Sequence, residues 1–400
     1  MRFSTTSSLA ISAILAAGIP ALAQNSPGSG PVSAENVLYE PTALEPTPER
    51  IDTLTLPEGF EIEVFAEGLG NTRMLAVSEG GNVYVTRRDE GDLLLLGDGD
   101  GEAGEPRTVL EQPDLHGIHI AGDRMFLATI KQVMTADLAD DGTLGELEVL
   151  ADDIPDAGQH PNRTLALGPD GALYLSVGST CNACDEPDDE HAAILRIPLD
   201  GGDRSIFAEG LRNTIGFGWH PQTGEMWGVD HGSDSRGTES PPEELNRITE
   251  GTHYGWPWCY ADRQVDQFIA GLPEGFDSKD AFCETTEAPV ATYTPHAAPL
   301  QMAFYTGDSF PEDYRDDAFQ VMRGSWNANP PAGYEVVRIT FENGEPAGFE
   351  PFVTGFLTED EGEGHGQIAR LAGLAVTPGG AILIADDQNG MIYRIRHTGE

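Results

Sequence analysis

Basic residues are scarce in this chain. Lysine and arginine together number 22 against 67 aspartates and glutamates, a formal net charge of −45 over 400 residues. Like-charge repulsion excludes nucleic acid and anionic membrane surfaces as partners. The acids are spread along the chain rather than gathered in a tail, the pattern of a solvating surface in a salt-rich habitat. Long apolar runs are missing as well: beyond the first residues none approaches the roughly 20 a spanning helix needs, so no membrane insertion is expected. A GxSxG, a P-loop, a GxGxxG ahead of a helix and an HExxH helix are all absent, which sets aside Ser-hydrolase and nucleotide chemistry. A CxxCH haem motif is absent too.

The chain begins MRFSTTSSLAISAILAAGIPALAQ, with a positive start at Arg2, an apolar middle from Leu9 to Ile19, and Ala21-Leu22-Ala23 before Gln24. This reads as a secretory signal peptide over residues 1–23, cleaved near Ala23, and predicts a periplasmic or secreted protein. Residues 24–36, QNSPGSGPVSAEN, read as a flexible leader. No comparable linker follows, so residues 37–400 are expected to form one domain. Four cysteines in an exported chain favour disulfides, with three connectivities open. Cys181 and Cys184 are close enough to bridge locally, and Cys259 can meet Cys283 across one long loop. The alternatives are a metal site using Cys181, Cys184 and His191, or a redox-active CxxC, although no βαβ pattern follows the motif.

One unit recurs: an apolar strand, a Gly/Asp turn, then a strand ending in small or polar residues. It appears as MLAVSEGGNVYVTRR from Met74, GIHIAGDRMFLAT from Gly117, LALGPDGALYLSVG from Leu165 and GFGWHPQTGEMWGVD from Gly216. A divergent copy, FPEDYRDDAFQVMRG, starts at Phe310, and GLAVTPGGAILIADD starts at Gly373. These are hairpin signals, and outside the amino-terminal segment no long stretch keeps a helical period. Six such units predict an all-β, six-bladed β-propeller, in which radial closure shields the strand edges and ligands bind where blade loops converge on the central channel.

Candidate site residues stand at the starts of these units. His160 precedes the third, with Arg163 three residues on; an imidazole suits a general base, although a histidine there is more often a hydrogen-bonded loop residue. Arg212-Asn213 opens the fourth unit in the equivalent position, so His160 and Arg212 should face the same channel mouth. A buried guanidinium is costly unless acceptors or anions surround it. The functional reading is a clamp on an anionic or quinonoid ligand, and the plain one an arginine that fixes a loop. Asp230-His231-Gly232-Ser233-Asp234 and Glu243-Glu244-Leu245-Asn246 collect carboxylates and carbonyls around a glycine, as a hard cation such as Ca2+ requires; a solvated acidic loop is the alternative. His116 at the second unit, Arg323 and Trp326 at the fifth and Arg370 at the sixth add further polar and aromatic groups.

Several longer motifs carry a family resemblance: His160 before LALGPDGALYLSVG, the CNAC segment, GLRNTIGFGWHPQTGEMW, PPEELNRI, HYGWPWCY, PHAAPLQMAFYTG, GSWN, GYEVVRI and the closing DDQNGMIYRIR. Across roughly Leu56 to His397 the chain resembles the pyrroloquinoline quinone (PQQ)-dependent sugar dehydrogenases, in the L-sorbosone dehydrogenase-like branch related to soluble glucose dehydrogenase. The resemblance implies a six-bladed propeller holding PQQ and Ca2+ in its channel mouth and oxidising a sugar or aldehyde. It implies that His160 takes the substrate hydroxyl proton while hydride passes to the quinone, and that Arg212 polarises the quinone oxygen. Asn213, His231, Arg323 and Trp326 would contact the cofactor, Arg370 its carboxylates, and His116 and Arg163 the substrate. The carbonyls of Gly232 and Ser233 match positions that hold the cofactor Ca2+, with Asp234 and Glu244 as further metal candidates. Electrons would leave through an external cytochrome or quinone. The chain departs from the family at Ala328, where an arginine often stands, and at Leu371, where many relatives have proline. His231 and Ser233 replace the Gln and Pro of the glucose enzyme. Two other readings are a Ca2+-dependent lactonase-like propeller and a non-catalytic propeller that binds sugars or proteins. His160 with Arg212-Asn213 is what an oxidoreductase needs and these do not.

Overall fold

The computed structural model describes residues 37–156, 158–359 and 364–399. The expected signal peptide and leader, at 1–36, lie outside the described residues. Nearly all regular structure among the described residues is β, and most of it falls into six sheets of four or five strands that follow one another along the chain. Their first strands are Leu75–Val77, Gly117–Ala121, Thr164–Leu167, Thr214–Trp219, Pro299–Phe304 and Leu371–Val376. Each lies against the next, and the last returns to the first, so the sheets stand around one axis in a propeller-like arrangement. Phe60–Ala66 pairs antiparallel with Met391–His397, so the two ends of the described chain share the last sheet.

The local sequence explains the packing. Second strands such as Leu173–Val177 and Ile382–Asp386 are buried along their whole length, because each sheet has a neighbour on both faces and alternation gives way to continuous apolar runs. The hairpin between Thr164–Leu167 and Leu173–Val177 turns at Gly171, whose φ of 77° favours glycine. Glycines in the first strands allow adjacent sheets to approach closely near the axis. A Cβ on Gly117 would stand 2.8 Å from the Arg163 carbonyl oxygen, and one on Gly216 or Gly373 would collide with the carbonyl of Leu300 or Arg73.

The fifth unit differs from its sequence expectation. Its first strand is Pro299–Phe304, upstream of Phe310, and the segment up to Ala318–Met322 is a long connection containing the short 3-10 turn Glu312–Tyr314. The hairpin template fails there because no tight Gly/Asp turn joins the two strands. In the fourth sheet the chain leaves after Glu243–Ile248 and returns only at Ala291–Tyr293. Cys259 and Cys283 form a disulfide across this excursion, and Cys181 and Cys184 form the other. With both sulfurs committed, the metal reading for Cys181, Cys184 and His191 falls; the His191 ring instead meets the Gly178 carbonyl at 3.3 Å.

Candidate active site

Arg212 and Asn213 sit where the chain enters its fourth sheet, and Asp230, at the end of the neighbouring strand Met226–Asp230, fixes them. The carboxylate of Asp230 accepts from the backbone N–H of Arg212 at 2.9 Å, from that of Asn213 at 2.8 Å and from the Thr214 hydroxyl at 2.8 Å. Burial pushes the Asp230 carboxyl up to about 6, against the pull of these bonds and of the Arg212 charge. The sixth sheet repeats the device: the Arg370 N–H donates to Asp386 at 3.0 Å, and burial again pushes the carboxyl up to about 6. An aspartate at the end of one strand thus fixes the backbone of an arginine before its neighbour.

The Arg212 guanidinium is buried and held. Its Nε donates to the Asn182 carbonyl at 2.8 Å, and its Nη2 to Asn182 Oδ1 at 2.9 Å and Asp234 Oδ2 at 3.0 Å. Nη1 has no protein partner among the described residues. Nearby, His160 Nδ1 lies 3.2 Å from the Ser179 backbone carbonyl and 2.8 Å from Ser179 Oγ, which itself donates to the Cys181 carbonyl at 2.7 Å. With its own proton used there, Ser179 Oγ accepts from His160, so the ring carries its hydrogen on Nδ1 and leaves a lone pair on Nε2. Burial, followed by the charges of Arg212 and His231, holds this imidazole well below its ordinary value, so it is neutral at pH 7. His231 is fixed in the same tautomer: its Nδ1 lies 2.7 Å from the Asn213 carbonyl, and burial with the Arg212 charge lowers it to about 4. Gly178 makes this crowding possible, since a Cβ there would stand 2.6 Å from His160 Cβ and 2.7 Å from Asn213 Oδ1.

Asp234 links this cluster to a second one, because its other oxygen accepts from Asn327 at 2.8 Å. Beyond lies a cavity of about 410 Å3 lined by Glu40, Asn71, Arg323, Tyr334, Arg370 and Asp387 among others. Asp387 accepts from Arg73 Nη1 at 2.5 Å and from Arg323 Nε and Nη2 at 3.0 and 2.8 Å. Arg370 donates to the Gly324 carbonyl at 2.7 Å, and its guanidinium lies 5.8 Å from the Tyr334 ring centroid. Arg370 Nε here, and Asn213 Oδ1 beside Gly178 in the first cluster, are buried with no hydrogen-bond partner among the described residues.

A third feature is a void of about 20 Å3, room for one water or ion. It is walled by Asp230, His231, Gly232, Ser233, Glu244, Tyr260 and Asp266 among others. Burial pushes Glu243 and Glu244 up to about 8 against the hydrogen bonds from Ala298 and Gly232 and from Ala261 respectively. The Gly232 and Ser233 carbonyl oxygens accept no hydrogen bond among the described residues. Buried carboxylates beside unpaired carbonyls are a donor set suited to a hard cation.

Several expected residues stand elsewhere than at an open mouth. Arg163 is 0% exposed, and its guanidinium donates to the His160 and Pro155 carbonyls. His116 is 1% exposed, with its ring between Arg73 and the Arg163 carbonyl. Both are buried with their side chains bonded to loop carbonyls. Asp234 accepts from Arg212 through one oxygen and from Asn327 through the other, so it bridges the two clusters. Trp326 is 41% exposed, while Ala328 and Leu371 are buried core residues. Sequence reasoning missed Ser179, Asn182, Arg73 and Asp387. The CNAC spacing drew attention only to sulfur, and Asp387 is one of 67 acids with no local signature.

The chain belongs to the TrAA12-like family, whose model matches residues 54–398. More particularly, a pyrroloquinoline quinone-dependent sugar dehydrogenase of Hypocrea jecorina is 29% identical over 135 residues, 27% of this chain and 31% of that one. The curated relatives first in similarity are matched over 56% of their own length or less. The holo form of the pyranose dehydrogenase PQQ domain from Coprinopsis cinerea shares the fold with a TM-score of 0.72 at 20% identity, covering 90% of this chain and 100% of that one. A calcium structure of a Trichoderma reesei enzyme of family AA12 gives 0.71 at 20% identity, over 86% and 97%.

Proposed function

We propose that this chain is an exported, PQQ- and Ca2+-dependent dehydrogenase of an aldose or aldehyde sugar of the sorbosone or glucose type. In this reading residues 37–400 form one six-bladed β-propeller behind a signal peptide at 1–23, and electrons pass to an external cytochrome or quinone. The observation that carries the reading is the pairing of His160, neutral with a bare Nε2, with Arg212, whose Nη1 is unpaired, in a mouth where Asn213 Oδ1 and Arg370 Nε are buried without partners. An orphaned buried polar atom costs about 1–3 kcal/mol and calls for an explanation, which a bound ligand would supply at this mouth.

The residues present fit PQQ. Its carboxylates suit Arg323 and Arg370 on the cavity wall, with Tyr334 beside them. The positive charge expected at 328 falls to Arg323. Gly232, Ser233 and Glu244 would hold Ca2+. Bound PQQ would supply the two-electron acceptor, and the protein the orientation and proton chemistry. His160 Nε2 takes the substrate hydroxyl proton, with Nδ1–H anchored on Ser179 so that the ring cannot turn. Arg212 Nη1 donates toward the oxygen on which negative charge develops. Trp326 offers an exposed ring face to a sugar. The lactonase-like reading is weaker, because the carboxylates around the small void come from one sheet and its excursion, not from all sheets around the axis.

The test adds PQQ and Ca2+ to purified apo-protein and screens aldoses and aldehydes with an artificial electron acceptor. His160→Ala should abolish turnover and keep PQQ, whereas Arg212→Ala should impair both. Full turnover in either variant, or no cofactor binding and no dye reduction by the native protein, overturns the proposal.

A further inference from the structure

The loop closed by the Cys181–Cys184 disulfide touches both groups just described, through different atoms. Its Cys181 carbonyl accepts the Ser179 hydroxyl, and that hydroxyl accepts His160 Nδ1–H. Its Asn182 makes four hydrogen bonds. Oδ1 accepts from Arg212 Nη2 at 2.9 Å and from the Asp234 N–H at 2.7 Å, Nδ2 donates to the Asp234 carbonyl at 2.9 Å, and the backbone oxygen takes Arg212 Nε at 2.8 Å. Glu186 ties down the start of the loop, accepting from the Thr180 N–H at 2.8 Å and the Thr180 hydroxyl at 2.7 Å. Ser179 itself is 0% exposed.

We propose that this disulfide-closed loop is a single positioning device for His160 and Arg212, with Ser179 setting the tautomer of the histidine and Asn182 the aim of the guanidinium. The inference rests on the dehydrogenase reading for its purpose, while its geometry can be tested without cofactor. A four-residue ring leaves the Cys181 and Asn182 carbonyls little freedom, so both acceptors hold their directions together. Asn182 also joins the third sheet's loop to the fourth sheet's loop at Asp234, which fixes His160 and Arg212 relative to each other. Orientation of this kind matters because a misplacement of about 1 Å is enough to cost a hundredfold in rate.

The test has a cofactor-free arm and a catalytic arm. Long-range 1H–15N correlation of histidine-labelled apo-protein, with His160 assigned by its loss in His160→Gln, should show the Nδ1–H tautomer. Ser179→Ala, which leaves Nδ1 only the longer contact to the carbonyl of residue 179, should shift it toward a mixture, and Ser179→Thr should restore it. Reduction of the protein with dithiothreitol, or the double variant Cys181→Ser/Cys184→Ser, should blur the same signal, while a folded far-UV spectrum excludes global unfolding. In the loaded enzyme, Asn182→Ala should lower kcat by about ten- to hundredfold, the loss of a hydrogen bond to a charged group. Asn182→Asp keeps the acceptors for Arg212 but sets a carboxylate oxygen against the Asp234 carbonyl, and should recover only part of that loss. An unchanged tautomer in Ser179→Ala and after disulfide cleavage, or unchanged kcat in Asn182→Ala, overturns the inference. If the enzyme shows no activity at all, the dehydrogenase reading fails while the tautomer result still decides the geometry.

Discussion

The substitution Asp387→Asn tests how the cationic wall of the cavity is held. The carboxylate, 2% exposed, serves Arg73 through one oxygen and Arg323 through both. The asparagine amide would keep the shape, but its Nδ2 would face an arginine donor and the negative charge would be gone. One-sided removal of a buried ion-pair partner costs about 3–5 kcal/mol. Arg323, with its side chain 26% exposed, can turn toward water, whereas Arg73 at 10% cannot, so the cost falls mainly on Arg73 and the lower end applies. For a domain of roughly 350 residues, with an unfolding entropy of about 2.1 cal/mol/K per residue, roughly 3 kcal/mol corresponds to a drop in Tm of about 4 °C. The same substitution frees Arg323 for an incoming anion, and a charge-assisted contact of about 1.5–3 kcal/mol corresponds to tenfold or more in affinity. Thermal unfolding of apo-protein with and without PQQ reads both effects. The variant should melt lower than the native protein alone and gain more on adding the cofactor. A variant as stable as the native protein, or one that gains less from PQQ, refutes this account of the wall.

Arg212→Gln should move the acid limb of kcat/KM to higher pH. The base works deprotonated, burial and then the Arg212 charge disfavour its imidazolium, and removing that charge raises the pKa of His160 part of the way toward its ordinary value; a pH–rate profile with an unmoved limb counts against His160 as the base. Stripping divalent cations with a chelator should lower Tm and added Ca2+ should restore it, by about 2.7 kcal/mol of stability at a hundred times Kd. Equal melting with and without chelator would speak against a cation at Gly232, Ser233 and Glu244.

The fold was legible wherever two strands meet at a tight turn. Five of the units quoted from the sequence coincide with observed strand pairs, because alternation and Gly/Asp turns are local signals. The fifth was misplaced because its strands are joined by a long loop, and the outer strands, such as Arg107–Glu111 and Ser205–Glu209, are half-exposed and carry little apolar pattern. At the site, Arg212-Asn213 stood out because a guanidinium at the start of a strand needs an explanation. Ser179 and Asn182 did not, since their importance lies in which neighbours they meet: Asn182 reaches Arg212 across 30 residues and the Asp234 backbone across 52. The burial of Arg163 and His116 was not legible either, because it depends on the packing of adjacent sheets.

The scarcity of basic residues takes on a different sense once their places are known. Arg73, Arg212, Arg323 and Arg370 gather around the mouth, each already held by an acceptor: Asp387, Asn182 with Asp234, Asp387 again, and the Gly324 carbonyl. Held guanidiniums are oriented before a ligand arrives, and buried ones are screened by salt far less than the acidic surface, whose reach falls to about 8 Å at physiological ionic strength. The acids at the mouth are Asp234, Asp387 and Glu40, so four positive charges against three leave 4 − 3 = +1. A ligand with three carboxylates is not balanced by that single charge. A divalent cation beside Gly232 and Ser233 adds positive charge next to the mouth, offset in part by the Asp230, Glu244 and Asp266 carboxyls that wall its void, and this gives, in the proposed reading, a physical reason for cofactor and Ca2+ to bind together rather than separately.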